Sequence, residues 1–333
     1  MENEWANKIL AASESNFEEL AFELFSFQYA NNSIYRSFAE LINREPRNVT
    51  QLRQIPFLPI RFFKSHSIQT TEFDPQVVFE SSGTTQTVNS LHRVKDVEIY
   101  RRSFINGFEF FYGPVHNWCI IGLLPSYLER KNSSLVFMVD ELMKQSQHPL
   151  NGFYLNEWDK LATTLQQLEK NHEQTLLIGV SFALLDFAEQ HQLNLKNTVV
   201  METGGMKGRR EELIRKELHE KLRKAFGVKE IHSEYGMTEL LSQAYSKADG
   251  IFSCPPWMKV LVRDEEDPFN ISHSTFSNSS PLIGVINVID LANIFSCSFI
   301  ATDDAGWLYP DGSFEILGRV DNSDVRGCSL MVV

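Results

Sequence analysis

The chain has 333 residues, 43% hydrophobic and 22% charged with 25 Phe, enough for a packed core in one large or two ordinary domains and not the composition of a disordered chain. A formal net charge of -12, from 31 basic and 43 acidic residues, argues against a nucleic-acid binder, which would carry a basic surplus. Four cysteines (Cys119, Cys254, Cys297, Cys328) contain no Cys-x-x-Cys pair, so neither a structural zinc site nor a disulfide framework is expected, and a reducing cytoplasm is the expected location.

The opening MENEWANKIL lacks the basic and apolar runs of a leader, and no apolar stretch is long enough to span a membrane. Residues 6–44 read as two helices, with Phe17, Leu20, Ala21, Leu24 and Phe25 on one face and a capped break at Asn31-Asn32-Ser33. Ile55–Pro59 cannot be regular helix, because Pro56 and Pro59 hold their predecessors extended. From about residue 77, apolar runs at Val77–Phe79, Trp118–Leu124, Leu135–Val139, Thr175–Val180 and Thr198–Met201 read as buried strands. Helical spacing at 94–111, 157–171, 182–191 and 208–225 alternates with them, which predicts βαβ units and a largely parallel sheet. The basic residues between Lys207 and Lys224 read as a solvated helix face. After about residue 232, strands at Val260–Val262, Gly284–Asp290, Cys297–Ala301 and Ser313–Leu317 are joined by turns, and 264–281 reads as a surface loop. The expected organisation is a helical lead-in (1–75), an α/β core (76–230) and a β-rich portion (231–333).

Four segments carry chemistry. Ser81-Ser82-Gly83-Thr84-Thr85 follows a strand, and hydroxyls and free N–H groups around a Gly suit phosphate oxygens, although the Walker P-loop pattern is absent. In Tyr235-Gly236-Met237-Thr238-Glu239, the Tyr suits a purine face, the Thr a phosphate and the Glu a hard cation such as Mg²⁺. Thr302-Asp303-Asp304, followed by Gly318-Arg319, offers an acid for ribose hydroxyls, and Gly204-Gly205 forms a turn between strand and helix. Each is weak alone, because Ser, Thr and Gly clusters are also ordinary turns. The nine histidines show no metal-ligand spacing, and no Gly-x-Ser-x-Gly elbow is present.

Taken in order, SSGTT, GG, YGMTE and ATDDAGWLYPDGSFEILGRVD resemble the adenylate-forming superfamily of acyl-activating enzymes over roughly residues 78–328. The short chain, PFLPIRFFKS, SSGTTQTVNSLHRV, TGGMKGRR and the ending VRGCSLMVV look most like the acyl-protein synthetases of the bacterial luminescence fatty-acid reductase system. The resemblance implies an α/β fold: the superfamily's large N-terminal domain with a helical lead-in, a β-rich C-terminal portion and no mobile C-terminal domain. It implies that Ser81, Ser82, Gly83, Thr84 and Thr85 wrap ATP phosphates, that Gly204 and Gly205 lie against adenine, and that Tyr235, with Gly236 beside it, stacks on that base. Thr238 would meet the α-phosphate, Glu239 would help hold Mg²⁺, and Asp304 and Arg319 would bind ribose.

The implied reaction is attack of a carboxylate, in this family a fatty acid, on the α-phosphorus, then acyl transfer to a thiol near the C-terminus, here Cys328, and onward to a reductase or carrier. Three departures stand out. Gln86-Thr87-Val88-Asn89 replaces the usual Gly-x-Pro-Lys, Asp303 adds an acid beside the ribose position, and the lysine of the mobile domain has no counterpart. Lys207 is the first candidate for the missing charge, with His92, Arg93 and Lys64 as further candidates. The other readings are an acyl-CoA or acyl-carrier-protein ligase, and a subunit that binds nucleotide or acyl-adenylate without turnover. Acyl-chain length and oligomeric state are not encoded in any motif.

Overall fold

A computed structural model describes residues 2–81, 88–124, 132–155, 157–204, 213–271 and 280–320. Three lead-in helices, where two were expected, open the chain: α1 (Glu2–Leu10), α2 (Phe17–Asn31) and α3 (Ser33–Leu41). The break falls at Asn32, whose side chain accepts from Tyr35 N at 3.0 Å and starts α3. The apolar stripe of α2 is buried as its spacing requires, and Gln28 on that stripe is buried too. Its amide donates to the carbonyls of Asn293 and Ile294, both at 3.0 Å, tying the lead-in to the far end of the chain. Pro56 and Pro59 keep the next segment extended, and β1 (Leu58–Pro59) leads into the short α4 (Phe62–Ser65).

The remaining elements are the hairpin β2 (Val77–Glu80) and β3 (Leu91–Val94), α5 (Val97–Tyr112), β4 (Cys119–Leu123), α6 (Ser134–Ser146), β5 (Gly152–Phe153), α7 (Trp158–Lys170), β6 (Thr175–Val180), α8 (Ser181–Gln190), β7 (Thr198–Thr203), α9 (Arg215–Phe226) and β8 (His232–Tyr235). Six strands follow: β9 (Ala244–Ser246), β10 (Ile251–Ser253), β11 (Met258–Arg263), β12 (Leu282–Asp290), β13 (Phe299–Leu308) and β14 (Phe314–Arg319). Among the described residues one sheet runs β11-β12-β13-β14-β10-β9-β8-β7-β6-β4-β5, with β1 beside β13. β4 to β8 are parallel, and β8 pairs antiparallel with β9, so the sheet changes character at β8.

One expected strand is a helix. Leu135–Val139 lies in α6, which Ser133 caps by accepting from Val136 N at 3.3 Å. Its buried residues, Met138, Val139, Leu142, Met143 and Ser146, follow helical spacing, while Leu135 to Phe137 are only half-buried. A five-residue apolar run does not distinguish the two periods by itself. The short β9 and β10 were not foreseen. Of the helix expected at 208–225, α9 accounts for the part from Arg215, with Lys216, Lys221 and Lys224 exposed on its outer face. Among the described residues, no helix is long and apolar enough to cross a membrane.

Candidate functional site

The chain reverses at the carboxyl ends of β6, β7 and β8, and there the motif residues gather. Ser181, just beyond β6, donates from its hydroxyl to the carbonyl of Gly204 at 2.6 Å. Gly204 has φ +66, a left-handed conformation natural to glycine, and it lets the chain turn away from β7 with its Cα exposed. Gly205 and Lys207 lie outside the described residues, as do Ser82, Gly83, Thr84, Thr85 and Cys328.

Ser81 marks the base of the hairpin formed by β2 and β3. Its N–H donates to Ser90 O at 3.0 Å, and its hydroxyl accepts from Ser90 N at 2.8 Å, closing the hairpin where β2 and β3 part. The Ser90 side chain lies near enough to the Glu239 carboxylate to favour its charged form. Glu239 is buried, and that burial pushes its pKa above the ordinary carboxylate value, against the opposing pull of Ser90, Arg319 and Lys64. Lys64, exposed on α4, is thus close enough for its charge to act on Glu239.

At the other end of segment 235–239, the Tyr235 hydroxyl donates to Asp304 Oδ2 at 2.8 Å, and Arg319 Nε lies 3.4 Å from Asp304 Oδ1. Asp304 and Arg319 face each other in the β13–β14 register. Burial raises the pKa of both Tyr235 and Asp304, although Arg319 favours the Asp304 carboxylate. Arg319 has 80% of its side chain exposed, so the ion pair is weak and the guanidinium faces water. The Tyr235 ring packs against Phe252 and Phe314, with centroids 5.9 and 5.4 Å away. Gly236 is exposed and Thr238 half-buried between these two groups.

The chain therefore brings Ser81, Glu239, Tyr235, Asp304 and Arg319 to linked positions, with segment 235–239 as the bridge. Glu239 is a single buried oxygen donor, and among the described residues no group of three or more His, Cys, Asp or Glu side chains gathers to hold a metal ion.

His92 is not placed to meet outer phosphates. It is buried, with Nδ1 2.8 Å from Thr238 O and Nε2 3.1 Å from Asn293 Oδ1, and burial lowers its pKa to about 4. The motifs also did not reveal a buried carboxylate pair below the Gly204 turn. Glu202 meets Arg215 at 3.5 Å and His219 at 3.6 Å, whereas Glu234 accepts from the Thr203 hydroxyl. Burial, together with the Glu202 charge, raises Glu234 to about 7. Acids inside an otherwise strand-like run were the available signal. The described cysteines are not poised nucleophiles, since burial pushes Cys119, Cys254 and Cys297 up to about 12.

The model of one protein family, described as "Acyl-protein synthetase, LuxE", matches residues 10–333. No curated protein sequence matches the chain. Among solved structures, the chain is similar to a 2-hydroxyisobutyryl-CoA ligase in a postadenylation state (TM-score 0.66, 10% identity, 93% of this chain and 68% of that one). It is also similar to ATP-bound MatB from Rhodopseudomonas palustris (TM-score 0.54, 14% identity, 75% and 50%). A third is the O-succinylbenzoate coenzyme A synthetase MenE from Bacillus subtilis, in complex with ATP and magnesium ion (TM-score 0.51, 15% identity, 76% and 52%). At these identities the likeness is one of fold, and the chain spans about half the length of MatB and of MenE.

Proposed function

We propose a function from one premise: the chain belongs to the LuxE family of acyl-protein synthetases. It activates a carboxylic acid, in our reading a fatty acid, with ATP and passes the acyl group to a protein thiol. The observation that carries this reading is the nearness of the Ser81–Ser90 pair to Glu239 on one side and the Tyr235–Asp304–Arg319 chain on the other. Together these offer donors for phosphates, an acid for a cation and an acid–guanidinium pair for a ribose diol.

In the first step a carboxylate oxygen of the acid attacks the α-phosphorus. The bond to the bridging oxygen of the β-phosphate breaks, and pyrophosphate leaves with that electron pair, giving acyl-AMP. No covalent protein nucleophile is needed, so the chain's task is alignment and charge stabilisation. Ser81, Ser82, Gly83, Thr84 and Thr85 hold the phosphates, and Thr238 meets the α-phosphate. Gly204 and Gly205 border the adenine, with Tyr235 and Gly236 beside it, and Asp304 and Arg319 take the ribose. Glu239 would hold Mg²⁺, which when bound neutralises phosphate charge. Lys207 supplies a further positive charge.

In the second step the Cys328 thiolate attacks the acyl carbonyl, the bond to AMP breaks, and a thioester and AMP result. Arg326, two residues before Cys328 in the sequence, is our candidate for the charge that would favour the thiolate. The acyl group then goes to a reductase or carrier.

The test is pyrophosphate release over a panel of carboxylic acids with ATP and Mg²⁺, followed by mass spectrometry. The expected result is acid-dependent release and a hydroxylamine-labile adduct that is missing in Cys328→Ser. Release independent of any acid would remove the activation step, and an adduct persisting in the mutant would remove Cys328. Unchanged release in Lys207→Ala would exclude that lysine.

A further inference from the structure

Residues 236–243 connect β8 to β9 and carry Thr238 and Glu239, yet the backbone of this segment makes no ladder over 238–242. Buried backbone groups must still find partners. Here they find side chains. His92 Nδ1 lies 2.8 Å from Thr238 O, and Asn293 Nδ2 donates to Glu239 O at 2.7 Å. The Asp290 carboxylate accepts from Leu241 N at 2.7 Å, from Ser242 N at 3.1 Å and from the Ser242 hydroxyl at 2.6 Å. All three side chains are buried.

The three come from two distant parts of the chain. His92 sits on β3, opposite Phe79 in the hairpin whose tip begins at Ser81, and its ring packs edge-on against Phe63 at 5.7 Å. Asp290 ends β12, and Asn293 lies in the turn after it. Asn293 also faces His92 Nε2 with its Oδ1 at 3.1 Å. Both ring neighbours present acceptor oxygens and a neutral imidazole has one N–H, so the Nδ1–H tautomer donates to Thr238 O while Nε2 only packs beside the β12 turn.

We propose that His92, backed by Asn293 and Asp290, is a positioning residue: it fixes the backbone carrying Thr238 and Glu239 against the base of the 81–90 hairpin. The inference rests on the proposed function for the roles of Thr238 and Glu239, but not for the cradle itself. His92 touches no substrate. It acts by setting where the Thr238 hydroxyl and the Glu239 carboxylate stand relative to the phosphates, and small displacements of such groups are costly to rate.

Two substitutions separate positioning from bulk. An asparagine places its amide nitrogen near the Nδ1 position and keeps a donor for Thr238 O. A glutamine reaches toward the Nε2 position and gives up that donor. In the full chain, His92→Gln is expected to lower kcat for acid-dependent pyrophosphate release on the order of 100-fold, with KM for ATP within about twofold. His92→Asn is expected to stay within a few-fold of the parent. Amide exchange in a peptide covering 236–243 should quicken in His92→Gln, stay unchanged in His92→Asn, and elsewhere match the parent. Equal losses in both variants, wild-type kinetics in His92→Gln, or unchanged exchange at 236–243 would each overturn the proposal. If His92→Gln does not fold, Asn293→Ser, which removes the donor to Glu239 O, is read by the same exchange criterion. If the parent releases no pyrophosphate with any acid, the proposed function fails, and the exchange result alone decides the positioning role.

Discussion

The Tyr235 hydroxyl donates a hydrogen bond to Asp304 Oδ2 at 2.8 Å, joining β8 to β13 across 69 residues of sequence. Tyr235→Phe leaves that buried oxygen short of a donor and should destabilise the fold by about 1–3 kcal/mol, read as a shift of denaturant midpoint. Asp304→Asn should weaken ATP binding by roughly 10-fold or more, the worth of a charge-assisted hydrogen bond, measured by calorimetry. An unchanged affinity would remove Asp304 from the ribose site.

Glu234 gives a signed pH dependence. Burial first, then the neighbouring Glu202 charge, raises its pKa from 4.5 to about 7. The folded state therefore holds a proton that the unfolded state releases, and stability falls as pH rises from about 4.5 through about 7. Glu234→Gln cannot ionise and keeps a group able to accept from Thr203. It should melt higher than the parent at pH 8, by an amount corresponding to at most roughly 3 kcal/mol, and the difference should shrink toward pH 5. A gap that does not depend on pH would mean the carboxyl is not the titrating group.

Two histidines act with the opposite sign. Burial lowers His92 and His232 to about 4, with Lys247 adding to the effect on His232. Between about 6.5 and about 4 the unfolded chain takes up protons that these buried rings refuse, so stability drops as pH falls through that window. His232→Gln should flatten the melting-temperature profile between pH 6.5 and 4.5 by a measurable part of the parent's slope. Parallel profiles for the two proteins would exclude His232 as a contributor.

Gly306 occupies the irregularity where the β13–β14 register shifts. A Cβ there would stand 2.3 Å from Glu315 O, a backbone atom that cannot swing aside. Gly306→Ala should cost about 1–3 kcal/mol and weaken ATP binding as well, because Asp304 lies on the same strand. Gly107→Ala in α5 is the control: its nearest neighbour would be Trp257 at 3.8 Å, and the helix should gain about 0.5–1 kcal/mol. Equal behaviour of the two variants would contradict the close-approach argument.

Part of the geometry was legible in the sequence motifs, and part was not. The motifs at Tyr235, Glu239 and Asp304 hold residues that the fold brings near one another, with Tyr235 bonded to Asp304, while Gly204 bonds to Ser181 instead. His92 was misread because its partners stand 146 and 201 residues away, and no local pattern reports such a contact. Asn293 and Asp290 passed unnoticed inside an apolar run, where an isolated polar residue signals a buried hydrogen-bond duty. Leu135–Val139 was misassigned for a different reason: five apolar residues fit either period, and only the cap at Ser133 and the buried set through Ser146 decide for the helix.

The bond from Gln28 to Asn293 spans 265 residues, and the same amide is what seats α2 on the turn behind the 238–242 segment. A ribosome adding roughly 5–20 residues per second needs roughly 13–50 s to cover that span. For that time the buried face of α2, with Phe17, Leu24 and Phe25, has been made and lacks its native cover. The α2 face is thus made well before the residues that cover it, so its burial waits on a partner segment 265 residues further along the chain.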